Sequence, residues 1–274
     1  MRILIVRHAE PDYAIDSLTP TGWKEAELAA EYLSQLDVKA FYVSPLGRAQ
    51  DTAGCTLKKI DRKAETCDWL REFDVPVRRP DLQGEMSNIC WDWLPTDVEK
   101  DRQNYDSFCW ADTDIMREGK VKEAYEKVCA GLDSLLKKHG YEREGLHYRV
   151  LQPNNDTIVL FCHFGVECVI LSHLINVSPM ILWHGFCAAP SSVTSIYTEE
   201  RREGIACFRI NEFGSTQHLY VAGQKPSFAA RFCECYKIIH QIWQIEILLC
   251  QRHFSTFNTC HIQHFINQPQ QMTA

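Results

Sequence analysis

The sequence of 274 residues contains no apolar run close to the ~20 residues that a membrane-spanning helix needs. It also lacks a basic stripe with interleaved aromatic residues, and its formal net charge is −7. Both features argue against a nucleic-acid surface. The first apolar run, over residues 3–6, leads directly into Arg7 and His8 and does not have the form of a signal peptide. We therefore expect a protein that binds neither a membrane nor a nucleic acid.

Cysteine, in contrast, is abundant, with 13 residues in the chain. The cysteines are scattered along a chain that is too long for a disulfide-stapled miniprotein, and an odd number leaves at least one unpaired. We therefore expect reduced thiols in a cytoplasmic protein, many of them as small core residues. A hydrophobic content of 45% and a charged content of 24% are typical of a globular protein.

Strand and helix patterns alternate along the chain, which predicts an α/β fold with helices packed on a mostly parallel mixed sheet. Short apolar runs predict strands at the start of the chain, over 40–43 and over 157–162. Thr19-Pro20 and Ser44-Pro45 each predict a helix start, with Thr19 and Ser44 as N-caps. Apolar residues at helical spacing predict helices around 23–33, 121–135 and 166–174. Residues 192–198 and 204–210 are expected to pair as strands around a turn at 199–202.

Two segments depart from this alternation. Residues 74–120 are rich in Asp, Glu and Trp and show little periodicity, so we interpret them as an inserted cap over the sheet edge. Their tryptophans, Trp91, Trp93 and Trp110, are expected to cover apolar surface more readily than to line a pocket. Arg78 and Arg79 are interpreted as a solvated pair, with a second anion-binding role as the alternative.

The composition changes again near residue 238. We predict a catalytic domain over 1–237 and a divergent extension over 238–274, either appended or poorly ordered, in which a helix over 238–249 is allowed. The extension has cysteine and histidine residues, but their spacing fits no compact zinc finger, and we interpret them as an incidental cluster.

Four residues that can hold or attack an anion lie where predicted strands end or a predicted helix begins. Arg7 and His8 follow the first strand, His163 follows the strand over 157–162, and Arg48 lies in the first turn of the helix after Ser44. Strand ends and helix N-termini are the usual sites of anion binding in α/β proteins. Each residue alone is more often a surface arginine or a core histidine, but random placement rarely produces all four together.

These residues lie within blocks that closely resemble the histidine phosphatase superfamily, also called phosphoglycerate mutase-like. The blocks are Arg7-His8-Ala9-Glu10-Pro11, residues 18–22, residues 44–53 and the strand that ends at His163. Their order and spacing match the family between residues 2 and 175. Ala9 departs from the glycine that the family most often has at this position. With this resemblance, we expect a three-layer α/β/α sandwich.

The resemblance implies a phosphomonoesterase in which His8 attacks the phosphoryl group and forms a phosphohistidine. Arg7, Arg48 and His163 would hold the phosphoryl oxygens. No metal or other cofactor is required, because the arginines supply the positive charge. A carboxyl group must protonate the leaving oxygen. We choose Glu72 for this role, with Glu65 and Asp74 as alternatives.

Two other functions remain open at this point. A phosphoglycerate-type phosphomutase usually has a longer polar pattern after the Arg-His block, ending in asparagine, whereas residues 11–13 read Pro-Asp-Tyr here. A catalytically idle binding or regulatory member of the fold is opposed by the presence of all four anion-binding residues. The substrate is expected to be a small-molecule phosphate ester or a phosphoprotein, with specificity set by residues 74–120. The oligomeric state is not predicted.

Overall fold

Helices and strands alternate along residues 1–227, which are the part of the chain that the computed structural model describes. The predicted extension over 238–274, with its allowed helix and its cysteine and histidine residues, lies outside the described residues. The strands are β1 (Arg2–Arg7), β2 (Pro11–Asp12), β3 (Ser17–Leu18), β4 (Ala40–Val43), β5 (Glu65–Thr66), β6 (Val77–Arg78), β7 (Met86–Ser87), β8 (Tyr141–Glu144), β9 (His147–Val150), β10 (Thr157–Cys162), β11 (Val193–Arg202) and β12 (Ile205–Ser215).

The helices follow the same chain order. They are α1 (Pro20–Leu33), α2 (Gly47–Lys59), α3 (Pro95–Val98), α4 (Asp114–Glu118), α5 (Val121–Lys138), α6 (Phe164–Ile175), α7 (Pro179–Gly185) and α8 (Gln217–Val221). Short 3-10 helices lie at Asp68–Leu70, Pro80–Leu82, Arg102–Tyr105 and Trp110–Asp112. None of the helices in this part of the chain is long and apolar enough to cross a membrane.

Eight strands form one mixed sheet in the order β5-β4-β10-β1-β11-β12-β9-β8. The half from β5 to β1 is parallel, and the pairings from β1 to β8 are antiparallel. The expected mixed α/β sheet is confirmed. Its antiparallel share is larger than the sequence indicated, because the β8–β9 hairpin adds two strands at the edge beyond β12.

The central strand β1 has helices on both faces. Ile3 and Ile5 belong to the core shared with α5 and α6, whereas Leu4 and Val6 belong to the core shared with α1 and α2. This alternation follows from the two-residue period of a strand. The three-layer α/β/α sandwich is therefore confirmed.

The two predicted helix starts have different outcomes. Thr19 caps α1, because its hydroxyl accepts a hydrogen bond from the Gly22 N–H at 3.0 Å. Ser44 was expected to cap the next helix, and this prediction is wrong: α2 begins at Gly47 after Leu46. The Ser44 hydroxyl instead contacts the His163 Nε2 atom at 2.8 Å.

The turn expected at 199–202 is also misplaced. Strand β11 continues to Arg202, and the reversal occurs at residues 203–204, where Gly204 has a φ of 82°. The four residues stay in the sheet because Glu199 and Arg202 pair with Cys207 and Ile205 of β12. A glycine in the left-handed region provides a better turn than the charged run before it.

Residues 74–120 form only short elements that pack on the helical layer containing α5 and α7. The Trp110 ring lies edge-on to Tyr125 of α5 at 5.1 Å and to Trp183 of α7 at 5.7 Å. Trp93 is buried as well, so these two rings cover apolar surface as expected. Trp91 is half-buried.

The outcome for Arg78 and Arg79 differs from the expected solvated pair. Arg78 is exposed and pairs with Glu118 at 3.2 Å. Arg79, however, is buried against Asp81 at 2.6 Å, so a solvated state is wrong for this residue. Because its guanidinium is already neutralised by a buried carboxylate, Arg79 is not available for a second anion.

Gly22 allows the segment after His8 to lie against α1, and this contact generates a stability test. A Cβ atom at Gly22 would overlap the Glu10 backbone carbonyl, whereas a Cβ at Gly54 of α2 would meet open space. We expect Gly22→Ala to lower the free energy of unfolding by at least about 2 kcal/mol, through overpacking. Gly54→Ala should raise it by about 0.5–1 kcal/mol, because alanine favours a helix. Urea denaturation measures both, and equal effects of the two changes would contradict the contact.

Candidate active site

The parallel strands place the predicted histidines side by side. Arg7 ends β1 opposite Cys162, which ends β10, and the His8 N–H donates to the Cys162 carbonyl at 2.9 Å. The His8 and His163 rings follow directly, with centroids 5.0 Å apart. Strand β4 lies on the other side of β10 and leads through Ser44 into α2, which carries Arg48. The carboxyl ends of the neighbouring strands β4, β10 and β1 therefore bring these residues together at one end of the sheet.

The His8 ring is held as a neutral imidazole with one free nitrogen. Its Nδ1 atom lies 2.8 Å from the Ala9 carbonyl oxygen, and because a carbonyl only accepts, Nδ1 must carry the proton. The Nε2 atom is then left with its lone pair. Burial, followed by the charge of Arg7, lowers the pKa of His8 to about 3. The ring is therefore neutral at neutral pH, with an unprotonated Nε2 that is suited to nucleophilic attack.

His163 is fully buried beside it and is bound through one nitrogen only. Its Nε2 atom contacts the Ser44 hydroxyl, which itself accepts the Leu46 N–H at 3.3 Å. The Ser44 proton can therefore point to Nε2, which leaves Nδ1 as an N–H donor. This Nδ1 has no hydrogen-bond partner among residues 1–227. Burial, together with the positive charges of Arg48 and Arg7, holds the pKa of His163 well below its usual value.

Arg48 is oriented by a carboxylate from the loop between β2 and β3. One terminal nitrogen of Arg48 donates to Asp16 Oδ1 at 2.6 Å, and the Gly47 N–H donates to Asp16 Oδ2 at 2.7 Å. Although burial opposes it, the hydrogen bond from Gly47 and the ion pair with Arg48 lower the pKa of Asp16. The guanidinium also lies 5.4 Å from the ring of Tyr13. Asp16 thus positions Arg48 at the N-terminus of α2.

Arg7 is held by weaker groups. A terminal nitrogen donates to the Ala188 carbonyl, and the guanidinium lies 5.9 Å from the Phe164 ring. The Nε atoms of Arg7 and of Arg48 are both buried and have no partner within the described residues. Each guanidinium therefore keeps at least one N–H group that can donate a hydrogen bond to an oxyanion.

The Glu72 carboxyl lies at the N-terminus of α6, the helix that begins directly after His163. Its Oε1 atom accepts hydrogen bonds from the Phe73 N–H at 2.8 Å and the Val166 N–H at 3.2 Å. Burial nevertheless raises the pKa of Glu72. Of the two alternatives, Glu65 pairs with Lys138 at 2.7 Å and Asp74 is exposed, and neither hydrogen-bonds to α6 within the described residues. Among the three carboxyls considered, the structure brings Glu72 to the site.

Sequence reasoning missed several residues that support the site. Thr52 accepts the Ala9 N–H at 3.0 Å and donates to the Arg48 carbonyl at 2.7 Å, so it joins the two anion-binding segments. Asp16 and the hydroxyl of Ser44 were not recognised as positioning groups. Glu167 was also missed, although a single carboxyl within the apolar helix pattern after His163 is a signal for a special role.

Glu167 is almost completely buried in α6, with one carboxyl oxygen that has no partner among the described residues. Burial raises its pKa to about 7, while a hydrogen bond from the Thr194 side chain and the charge of Arg7 oppose this rise. This pKa lies close to neutral pH, and the charge of Arg7 acts on the carboxyl.

Comparison with known proteins assigns the family. The model of the histidine phosphatase superfamily (branch 1) matches residues 3–211. The chain belongs to this superfamily. The predicted resemblance is thereby confirmed, and the match includes His8, His163 and both site arginines.

Individual members of the superfamily are more distant. A 2,3-bisphosphoglycerate-dependent phosphoglycerate mutase of Thermoplasma acidophilum is 30% identical over 95 residues, which cover 31% of this chain and 48% of the mutase. The chain thus spans about half the length of this curated relative. Phosphoserine phosphatase of Entamoeba histolytica, solved with 3-phosphoglyceric acid, has a TM-score of 0.51 at 20% identity over 80% of this chain and 98% of its own. A mycobacterial glucosyl-3-phosphoglycerate phosphatase has a TM-score of 0.51 at 16% identity over 78% and 99%. These structures share the fold.

The buried carboxyl of Glu167 predicts how the stability of this histidine phosphatase superfamily member depends on pH. Glu167 binds its proton more tightly in the folded state, so its contribution to stability falls as pH rises from the unfolded value of 4.5 to about 7. We expect Glu167→Gln to remove this decline. At pH 8, the free energy of unfolding of the variant should exceed that of the wild type by about 3 kcal/mol. Urea denaturation from pH 4.5 to 8 in phosphate-free buffer measures the difference. Glu27→Gln, at an exposed carboxyl, should follow the wild type, and parallel curves for Glu167→Gln would contradict the assignment.

Proposed function

We propose that this chain is a phosphomonoesterase that hydrolyses phosphate esters through a phosphohistidine on His8. The observation that carries the proposal is the neutral, buried His8 ring, with Nδ1 fixed on the Ala9 carbonyl and Nε2 left free. Two guanidiniums with unused donors, on Arg7 and Arg48, lie at the same sheet edge. This set can attack a phosphorus atom and hold its oxygens at the same time.

In the first step, the His8 Nε2 lone pair forms a bond to phosphorus while the bond from phosphorus to the ester oxygen breaks. Arg7, Arg48 and the Nδ1–H of His163 stabilise the charge on the phosphoryl oxygens. Glu72 transfers its proton to the departing oxygen, so that an alcohol leaves and a carboxylate remains. The raised pKa of Glu72 favours the protonated state that this step needs.

In the second step, water attacks the phosphohistidine and the P–N bond breaks. Glu72, now a carboxylate, takes a proton from the attacking water. Inorganic phosphate forms, and His8 returns to the neutral Nδ1–H tautomer that the Ala9 carbonyl selects. Each residue ends the cycle in its starting protonation state.

The mutase reaction is the alternative, supported by the 30% identity to a phosphoglycerate mutase over part of the chain. Residues 11–18 favour hydrolysis. They form the β2–β3 hairpin, and its Asp16 carboxylate neutralises part of the Arg48 charge. A carboxylate at this position opposes the second phosphate of a bisphosphate cofactor.

We place the substrate among small-molecule phosphate esters in preference to phosphoproteins, since the relative with 30% identity is named for phosphoglycerate. A catalytic domain over residues 1–237 and a cytoplasmic location remain parts of the proposal. Nine cysteines of residues 1–227 have free thiols, five of them buried, which agrees with a reducing compartment.

The nucleophile is tested by His8→Ala. Wild-type protein should release phosphate from p-nitrophenyl phosphate without added bisphosphate and should form an acid-labile phosphoprotein. In His8→Ala, kcat should fall by at least about a thousandfold, because no other residue at the site replaces the attacking nitrogen. The acid-labile phosphoryl label on the protein should be absent for the same reason. His147→Ala, on β9 of the antiparallel edge, serves as the control and should retain activity. Full labelling of the His8→Ala protein would refute the mechanism, and phosphate release only with bisphosphate would favour the mutase.

The proton donor is tested by Glu72→Gln with two leaving groups. With an alkyl phosphate, whose leaving oxygen needs a proton, kcat should fall by about 10²–10⁴-fold. With p-nitrophenyl phosphate, whose leaving group departs as an anion, the first step should change little, as seen in the burst phase. Asp74→Asn and Glu65→Gln should match the wild type with both esters. If the rate constant of the first step fell equally with both esters, Glu72 would not be the proton donor.

A further inference from the structure

Aromatic rings contact both arginines that are assigned to the phosphate. The Arg48 guanidinium lies 5.4 Å from the Tyr13 ring, and the Arg7 guanidinium lies 5.9 Å from the Phe164 ring. The Phe164 ring in turn meets Trp91 edge-on at 5.6 Å. Tyr13 of the β2–β3 loop therefore lies beside Arg48, whereas Trp91 of the 74–120 segment reaches Arg7 only through the Phe164 ring of α6.

Tyr13 is exposed although its loop is braced. Its side chain is 69% exposed, and the neighbouring Ile15 is 70% exposed. The loop is held by the β2–β3 pairing and by the Asp16 carboxylate, which binds both Gly47 and Arg48. This loop thus presents two large apolar side chains to solvent, and one of them, Tyr13, lies beside Arg48, where it is available to a bound ligand.

The Trp91 indole is held close to Glu72 and to the start of α6. Its indole N–H donates to the Phe73 carbonyl at 3.1 Å, next to Glu72. A Cβ atom at Gly165 would lie 2.9 Å from the Trp91 Nε1 atom and 2.6 Å from the Glu72 Oε1 atom. The absence of a side chain at Gly165 therefore lets the indole and the proposed proton donor share the start of α6. Trp91 remains half-buried, so part of the ring is open to solvent.

We propose that the site selects phosphate monoesters with an aromatic leaving group, which contacts Tyr13 and Trp91 while the phosphate binds the arginines. The inference rests on the proposed function for the position of the phosphate. Aromatic side chains bind rings through both buried area and edge-to-face geometry, whereas a short alkyl group offers little area to either. Residues 74–120 then contribute to specificity through Trp91.

The test measures binding without turnover, in the full chain with His8→Ala. Calorimetry gives dissociation constants for phenyl phosphate and ethyl phosphate, which differ only in the leaving group. Phenyl phosphate should bind about tenfold more tightly. Adding Tyr13→Ala or Trp91→Ala should each reduce this ratio by about threefold or more, and Trp91→Phe should restore part of it. Tyr220→Ala, at an exposed tyrosine on α8, is the matched control and should leave the ratio unchanged.

The outcomes separate the two proposals. A ratio near one in the His8→Ala protein, or an unchanged ratio after both alanine substitutions, would overturn aromatic selection. Tighter binding of 3-phosphoglycerate than of phenyl phosphate would overturn it as well, because a carboxylate would then be the preferred group. Failure of the wild type to hydrolyse p-nitrophenyl phosphate would instead count against the proposed function. An equal loss of affinity for both esters would assign Tyr13 only to the support of Arg48 and would also contradict selection by this ring.

Discussion

The in-register parallel pairing of β1 with β10 is the constraint on which the candidate site depends. Arg7 lies opposite Cys162, and the His8 N–H bonds the Cys162 carbonyl, so both histidines leave the sheet at the same level. A slip by one residue would turn every side chain of the strand to the other face. Because β1 and β10 are buried on both faces, such a slip would disrupt two helical layers at once. The hydrophobic core therefore sets the geometry of the polar site.

The same core sets the charge states at this edge. Burial keeps His8 and His163 neutral, and the adjacent guanidiniums further oppose protonation of either ring. Burial also raises the pKa of Glu72, where an exposed glutamate would be fully ionised at neutral pH. One environment thus favours a neutral imidazole on His8 and a protonated carboxyl on Glu72, the residues to which the proposal gives the roles of nucleophile and acid. These two states are the ones that phosphoryl transfer to a histidine requires.

Features that depend on short stretches of chain were predictable from the sequence. The apolar run over 157–162, the Thr19 cap and the helical spacing after 121 each record a local preference, and each appears in the structure. The strand-end histidines follow from the same patterns, because parallel strands bring their carboxyl ends to one edge. Ser44 was assigned wrongly because its hydroxyl contacts His163, 119 residues away, and a local rule for capping contains no information on this partner.

Positioning groups could not be found in the same way, because their roles exist only after the chain has folded. Asp16 reaches Gly47 and Arg48 across 31 and 32 residues, from a backbone with a φ of 49° that no motif announces. Trp91 depends on the missing side chain at Gly165, 74 positions further along the chain. Strand and helix ends define where a phosphate can bind, whereas contacts between distant loops define which groups surround it. Since such loops carry no periodic pattern, substrate selectivity has to be argued from the folded structure.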